Sequence, residues 1–196
     1  MTCEHKNFSK KKVTLNKLGL EYSTRTDICS DCGAYVRNNE FEIKFNEWLH
    51  DSYKSHRTKF QIQCNLSGNL VKCAQEFLKS YPGVSESVFF RIITILSLTI
   101  IDSSEKLSSS IETLFDGEVY NSFMEDNKRK RFNIQFKPKM MLEIHDTAEL
   151  LQTSMTSIVE DSILRVMTLL TSQDEELKEF WENEIKFLLE SFLKSA

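Results

Sequence analysis

The chain has 196 residues and a formal net charge of −4, and its five glycines and two prolines are few for its length. This length allows one or two domains with a real core, and the composition favours helices over a loop-rich β architecture. No stretch is long and apolar enough to predict a membrane span, and the N-terminus lacks the apolar region of a signal peptide. We therefore expect an intracellular, cytoplasmic protein without a membrane partner.

Positive charge is concentrated locally despite the negative total. Residues 126–139 carry six basic side chains and one acidic side chain, a net charge of +5. Residues 1–60 carry eleven basic and eight acidic side chains, a net charge of +3. Phosphate binding depends on local charge rather than on the total, so nucleic acid is not excluded as a partner.

Four soft metal ligands occur near the N-terminus in two close pairs. Cys3 and His5 form a Cys-x-His pair, and Cys29 and Cys32 form a Cys-x-x-Cys pair followed by Gly33. Such a set fits tetrahedral Zn²⁺, and four protein ligands leave no open position, so the predicted zinc is structural. The alternative is four unrelated residues with a disulfide, which an intracellular location disfavours. We expect a small zinc ribbon over residues 1–37.

A strand pattern then occurs twice. Lys59-Phe60-Gln61-Ile62-Gln63 returns 72 residues later as Arg131-Phe132-Asn133-Ile134-Gln135, and both segments alternate polar and apolar side chains as half-buried strands do. Each strand is followed by two segments with helical spacing of apolar residues. The predicted organisation is a zinc-ribbon-like module at 1–37, a helical connector at 38–58, a first repeat at 59–102, a helical linker at 103–130, a second repeat at 131–172 and a C-terminal amphipathic helix at 173–196.

The order of strand, helix, capped turn and helix resembles the Arc/MetJ-like ribbon-helix-helix family. The resemblance covers residues 59–102 and 131–172 and depends on three segments: the strand 131–136, the turn Gly83-Val84-Ser85-Glu86-Ser87, and the helix start at 156–161. The second turn departs from the pattern because it lacks glycine and is shorter. The resemblance implies a mainly α fold with short β-strands, in which two ribbon-helix-helix repeats share an antiparallel two-stranded ribbon beside the zinc ribbon.

The resemblance also implies a transcriptional regulator that binds double-stranded DNA sequence-specifically, with the outer face of the ribbon in the major groove. Four of the expected base-reading residues are amides, and basic residues flank them; helix N-termini near Ser85 and Thr156 are expected to hold phosphates. The predicted DNA-binding residues are Lys59, Gln61, Gln63, Asn65, Ser85, Ser87, Lys128, Arg129, Lys130, Arg131, Asn133, Gln135, Lys137 and Thr156. The bland alternative is an ordinary solvated strand face.

Other functions receive less support from the residues. No phosphate-binding loop, dinucleotide fingerprint or nucleophile elbow is present, so we expect neither an enzyme nor a small-molecule substrate. A second hypothesis is an antitoxin-like or partition-like adaptor that binds a protein partner as well as DNA. The apolar stripe of the C-terminal helix predicts core packing, with homodimerisation as the alternative. The combination of tandem repeats with a zinc module is similar to regulators of archaeal viruses and plasmids, for which the host cytoplasm would be the location.

Overall fold

The computed structural model of the chain describes residues 3, 5, 7–100 and 118–195. They fall into two compact units, one of residues up to 60 together with 137–142, and the other of residues 61–136 and those from 143 onward. Most of the linker predicted at 103–130 lies outside the described residues. None of the described helices combines the length and the apolar character that a membrane span requires.

The first unit is built on a long β-hairpin. Its strands, β1 (Phe8–Lys17) and β2 (Leu20–Cys29), pair antiparallel along their whole length. The two residues between them, Leu18 and Gly19, have φ angles of +57° and +65°. Two consecutive positive φ angles give the tight turn whose twist matches that of a hairpin, and glycine adopts this conformation without steric cost.

An aromatic cluster joins this hairpin to a helix. The helix, α1 (Asn39–Ser55), begins at Asn38, whose side chain accepts a hydrogen bond from the backbone N–H of Phe41. Tyr22 of β2 is buried and packs edge-on against Phe41 and Phe45, with ring centroids 5.8 and 5.2 Å apart. These rings give the first unit a core that does not depend on the cysteines.

The second unit contains a two-stranded ribbon. Strands β3 (Gln61–Ser67) and β4 (Arg129–Gln135) pair antiparallel, with Gln63 opposite Asn133. The apolar side chains of one face are buried: Ile62, Cys64, Leu66, Phe132 and Ile134 are each at most 6% exposed.

The remaining helices follow in chain order. They are α2 (Gly68–Leu78), α3 (Glu86–Ile100), α4 (Glu118–Glu125), α5 (Pro138–Leu150), α6 (Met155–Leu170) and α7 (Glu175–Ser195). Helix α3 packs against β4 and α6 packs against β3, while α3 and α6 also pack on each other. Helix α7 packs on both and buries Trp181, Ile185 and Leu189 completely.

The predicted pairing of the two repeated strands is confirmed. Strand 59–65 was expected to run antiparallel to strand 131–137, and the two strands pair at 61–67 and 129–135. Strand β3 begins two residues later than expected because Arg57–Phe60 form a 3-10 turn, and β4 begins two residues earlier than expected.

The predicted fold class, by contrast, is wrong. The described residues form two separate two-stranded sheets and seven α-helices, rather than two compact ribbon-helix-helix repeats that share one ribbon beside a small zinc ribbon. Residues 137–142 group with the first unit, so the segment predicted as the second repeat is not a body of its own. Helix α7, outside both predicted repeats, supplies part of the core. Local periodicity indicates single elements, but it does not say which elements bury one another's apolar faces.

Candidate metal centre and nucleic-acid interface

The N-terminal cysteines and histidine come together at one end of the β1–β2 hairpin. Cys29 is the last residue of β2, and its backbone accepts a hydrogen bond from the N–H of Gly33, 2.9 Å away. Gly33 has a φ of +75°, a conformation that L side chains rarely adopt, and it lets the chain turn back immediately after Cys32. This tight turn places Cys29 and Cys32 on the same side as Cys3 and His5.

The distances within this group fit a shared ligand. The sulfur atoms of Cys3 and Cys29 are 3.6 Å apart, and the sulfur of Cys32 is 3.4 Å from Nδ1 of His5. All four ligand atoms lie within 4.8 Å of one another. The sulfur separation is far too long for a disulfide, whose S–S bond is about 2.05 Å. The four predicted ligands therefore form a cluster that could hold a metal ion.

The electrostatics of the cluster favour an anion at Cys29. Hydrogen bonds from the backbone N–H of Cys32, from the His5 side chain and from the backbone N–H of Asp31 lower the pKa of Cys29 to about 6. The backbone N–H of His5 acts to lower the pKa of Cys3, but the neighbouring Cys29 sulfur, burial and Cys32 together raise it. A cation held between these two adjacent sulfurs would favour the thiolate form of both.

The two other cysteines have different surroundings. Cys64 is fully buried under the ribbon, and this burial, with a smaller effect of Glu160, raises its pKa to about 12. Burial likewise raises the pKa of Cys73. A thiol in such a place stays protonated and acts as a small apolar side chain.

The outer face of the β3–β4 ribbon carries most of the residues predicted to read DNA. Three of the four cross-strand pairs on this face consist of such residues: Gln61 with Gln135, Gln63 with Asn133, and Asn65 with Arg131. Gln135 is partly exposed and the other five are exposed. Because paired residues in a two-stranded sheet point the same way, amides and one guanidinium group project together from a face about 5 Å wide between strand axes.

Side chains from two helices bond the backbone of this ribbon. The hydroxyl of Thr156 in α6 donates to the carbonyl oxygen of Gln63, at 3.3 Å. Glu160, one turn later, accepts from the backbone N–H of Asn65, at 2.7 Å. On the other strand, Arg91 of α3 donates to the carbonyl oxygen of Gln135, at 3.5 Å.

The basic run before β4 divides between different environments. Lys128 is exposed in the loop, and Arg129 is exposed at the start of β4, where its guanidinium group donates to the carbonyl oxygen of Met124. Lys130 belongs to the face opposite Arg131; its ammonium group lies 3.3 Å from Glu86 and 5.1 Å from the centroid of the Phe132 ring. Lys130 is thus exposed as well, but it pairs with Glu86 on the face of the ribbon that Arg131 does not share.

The remaining predicted DNA-binding residues lie outside the ribbon. Lys59 was expected in a strand but lies in the 3-10 turn, and Lys137 follows β4; both group with the first unit. Ser85 accepts a hydrogen bond from the backbone N–H of Val88 and so helps to cap α3, whereas Ser87 lies within the first turn of that helix. Capping of α6 is carried out by Ser154 rather than by Thr156.

Two acidic residues that sequence reasoning missed help to position the interface. Glu160 holds β3, as described above. Asp126 accepts hydrogen bonds from the backbone N–H groups of Lys128 and Asn69, at 2.9 and 2.8 Å. Asp126 thus ties the loop before β4 to the first turn of α2. Asp126 could have been singled out as the one acidic residue of the basic segment 126–139, but the sequence has no signal for its distant partner.

Comparisons with protein-family models, with curated protein sequences and with solved structures give no match for this chain. The resemblance noted in the sequence therefore has no support from a known relative, and the function must be argued from the chain's own residues.

Proposed function

We propose that this protein binds double-stranded DNA sequence-specifically and acts as a transcriptional regulator, reading the major groove with the outer face of the β3–β4 ribbon. One observation carries the proposal: exposed amides and Arg131 occupy this face in cross-strand pairs, while the opposite face is buried. A solvated strand face has no need of paired amides, and charged residues are more usual there.

The chemistry of these side chains matches the edges of base pairs. The major groove is about 12 Å wide and admits a two-stranded β-ribbon. An Asn or Gln amide can bond the N6 and N7 atoms of adenine together, and an Arg guanidinium can bond O6 and N7 of guanine. Gln61, Gln63, Asn65 and Asn133 supply the amides in this proposal, with Gln135 beside them and Arg131 as the guanine reader.

The support of the ribbon suits this role. Thr156, Glu160 and Arg91 bond the backbone of the two strands, and the apolar face packs on α3 and α6. A binding face held by packing and by supporting hydrogen bonds loses little entropy when it meets its ligand.

Other predicted residues would contribute affinity without sequence preference. Lys128 and Arg129 are exposed next to the ribbon and can neutralise phosphates. Ser85, Ser87 and Thr156 lie at or near helix N-termini, where free backbone N–H groups can hold a phosphate oxygen. Lys59 and Lys137 remain proposed phosphate contacts on their charge alone.

The metal held by Cys3, His5, Cys29 and Cys32 is proposed to be a structural zinc ion. Tetrahedral Zn²⁺, with bonds of about 2.3 Å to sulfur and about 2.0–2.1 Å to nitrogen, places ligand atoms roughly 3.5–3.8 Å apart. The measured separations of 3.6 and 3.4 Å agree with this geometry. The zinc would join the segment before β1 to the turn after β2.

Selection of bound duplexes from a random DNA pool tests the main proposal. A regulator that reads bases enriches a defined site and binds it at least about 1,000-fold more tightly than random duplex at physiological salt. Binding without any enriched sequence would contradict base reading. Co-purification of a protein partner in the absence of DNA binding would favour the adaptor hypothesis.

A further inference from the structure

The outer face of the β1–β2 hairpin carries an unusual arrangement of positive charge. Leu15 and Tyr22 lie opposite each other and pack in the aromatic cluster. Side chains alternate between the two faces, so the even-numbered residues of β1 and the odd-numbered residues of β2 project from the outer face. Lys10 and Lys12 of β1 and Arg25 of β2 belong to that outer face, and all three are exposed.

Lys12 lies directly opposite Arg25 in the hairpin register. Neighbouring strands are about 4.7–4.9 Å apart, and like charges that face each other across strands destabilise a sheet. No carboxylate of the described residues forms an ion pair with either side chain; Asp27 lies opposite Lys10 instead. Within the described part of the chain, no direct ion pair offsets the repulsion between Lys12 and Arg25, although the acidic residues Glu21 and Asp27 share their face.

The hairpin is longer than its structural tasks require. Only the Cys29 end belongs to the metal cluster, and only the inner face meets the aromatic rings. A strand of ten residues extends about 33 Å. The outer face holds three basic side chains, Lys10, Lys12 and Arg25, against the acidic Glu21 and Asp27, a net charge of +1. Neither the core nor the metal cluster explains this charge on the outer face.

We propose that the outer face of the β1–β2 hairpin is a second DNA-binding surface, which holds backbone phosphates through Lys10, Lys12 and Arg25. A phosphate between Lys12 and Arg25 would relieve their repulsion. The hydroxyl groups of Thr14 and Ser23 on the same face bond each other at 2.8 Å, and Ser23 donates to the carboxylate of Glu21, so the proposed phosphate contacts are the three cations alone. This inference rests on the proposed DNA-binding function, but it assigns the N-terminal unit an affinity for DNA of any sequence.

The chemistry of this face favours DNA over other anionic partners. Phe8, at 48% exposure, is its one large apolar side chain among the described residues. Protein interfaces and membrane-bound faces bury a larger apolar area than that. A competing explanation is that lysines on an exposed strand protect the hairpin edges from pairing with another chain. The two explanations make different predictions about salt dependence.

The test replaces all three cations in the full-length protein, as K10Q/K12Q/R25Q, and measures binding to a random-sequence duplex at several salt concentrations. Loss of three phosphate contacts should flatten the slope of log affinity against log salt by about 2.7, since each contact contributes about 0.9. Between about 50 and 200 mM salt, the wild-type protein should then lose about 40-fold more affinity than the variant. The matched control, K54Q/K72Q/K79Q, removes the same charge from exposed helical positions and should keep the wild-type slope.

Three results would overturn the inference: an unchanged slope, an equal change in the control, or tighter binding of the wild-type protein to anionic phospholipid vesicles than to duplex. An unchanged slope with self-association of the variant would identify edge protection as the role of these lysines. The preference of the variant for a selected site over random duplex reports on β3–β4 separately. A flattened slope in a protein without sequence preference would support the hairpin contact and contradict base reading by the ribbon.

Discussion

Gln63 lies directly opposite Asn133 at the centre of the β3–β4 ribbon, and both amides are exposed on the same face. Their backbones are fixed independently, because the carbonyl oxygen of Gln63 accepts a hydrogen bond from Thr156 while the strand of Asn133 packs against α3. The side chains can therefore be truncated without disturbing the apolar face beneath them, which makes this pair the most informative place to test base reading.

The double variant Q63A/N133A is expected to lose sequence preference. Each bidentate amide contact should contribute about 1–3 kcal/mol of discrimination on the selected site, whereas binding to random duplex should stay nearly constant because phosphate contacts supply it. Competition binding with selected and random duplexes measures both. The control N46A/N183A removes two exposed amides from α1 and α7 and should behave as the wild-type protein does. Undiminished preference in Q63A/N133A would show that this face is not the reader.

Adjacent basic residues on β4 should differ in their effect on DNA binding. Arg131 is exposed on the outer face opposite Asn65, whereas Lys130 lies on the other face and pairs with Glu86. R131Q should weaken binding to the selected site, by about 1–3 kcal/mol if the contact is to guanine. K130Q removes the same charge and should leave DNA affinity within about twofold of the wild-type value, because Lys130 lies on the opposite face and pairs with Glu86. The protein should remain folded, since an exposed ion pair contributes at most about 1 kcal/mol to folding. Equal losses in the two variants would mean that only the total charge matters.

The metal cluster predicts a defined zinc content. About one Zn²⁺ per chain should remain after gel filtration of the wild-type protein, and C29S should lose it because three ligands bind zinc far less tightly than four. C73S is the control, since Cys73 lies half-buried on α2 and is not one of the four residues of the cluster. Elemental analysis by mass spectrometry gives the ratio of zinc to protein. Zinc retained in C29S, or absent from wild-type protein prepared without chelators, would contradict the assignment.

The sequence allowed the local elements to be predicted better than their assembly. Alternation of polar and apolar residues indicated β3 and β4 and their pairing, because only one face of each strand is apolar. Ligand spacing similarly identified the group of Cys3, His5, Cys29 and Cys32, which the structure brings together. Both signals are local, and they need no knowledge of the rest of the fold.

Interactions between distant residues could not be predicted in this way. Glu160 bonds Asn65 across 95 positions of sequence, and its residue type is equally typical of a solvated helix face. Lys130 belongs to a basic run whose members look alike in sequence. It lies two residues before Phe132 in β4 and therefore on the same face of the ribbon as Phe132. The fold class was wrong for the same reason, since the contribution of α7 to the core depends on packing between helices.

Asp126 should make stability depend on pH in the acid range. Hydrogen bonds from the backbone N–H groups of Lys128 and Asn69 hold its pKa below the ordinary value. A carboxyl group whose pKa is lowered by folding stabilises the protein above the ordinary Asp pKa of about 3.9, and this stabilisation is lost as the pH falls through the lower, folded value. D126N should therefore unfold at a lower temperature than the wild-type protein at pH 7.

The difference between D126N and the wild-type protein should shrink as the pH is lowered below about 4, where the wild-type carboxylate also becomes protonated. Thermal unfolding followed by circular dichroism from pH 7 to pH 3 measures this convergence. D51N, which removes an exposed carboxylate of α1, controls for the change in net charge. If the unfolding temperature of D126N stays equally far below that of the wild-type protein down to pH 3, the substitution destabilises the protein for a steric reason and not through the lost charge.

The two aromatic faces of α7 should differ greatly in their contribution to stability. Trp181 is completely buried, whereas Phe187 on the same helix is 67% exposed. W181A removes a large side chain from a packed core and should lower the free energy of unfolding by about 3–5 kcal/mol, while F187A should change it by less than about 0.5 kcal/mol. Urea unfolding monitored by circular dichroism gives both values, with W181F as a conservative variant if W181A does not fold. The molar mass of each variant in solution should also be measured by light scattering. If α7 mainly joined two chains, the two variants would exchange roles: F187A would dissociate a dimer, and W181A would have little effect on the stability of the single chain.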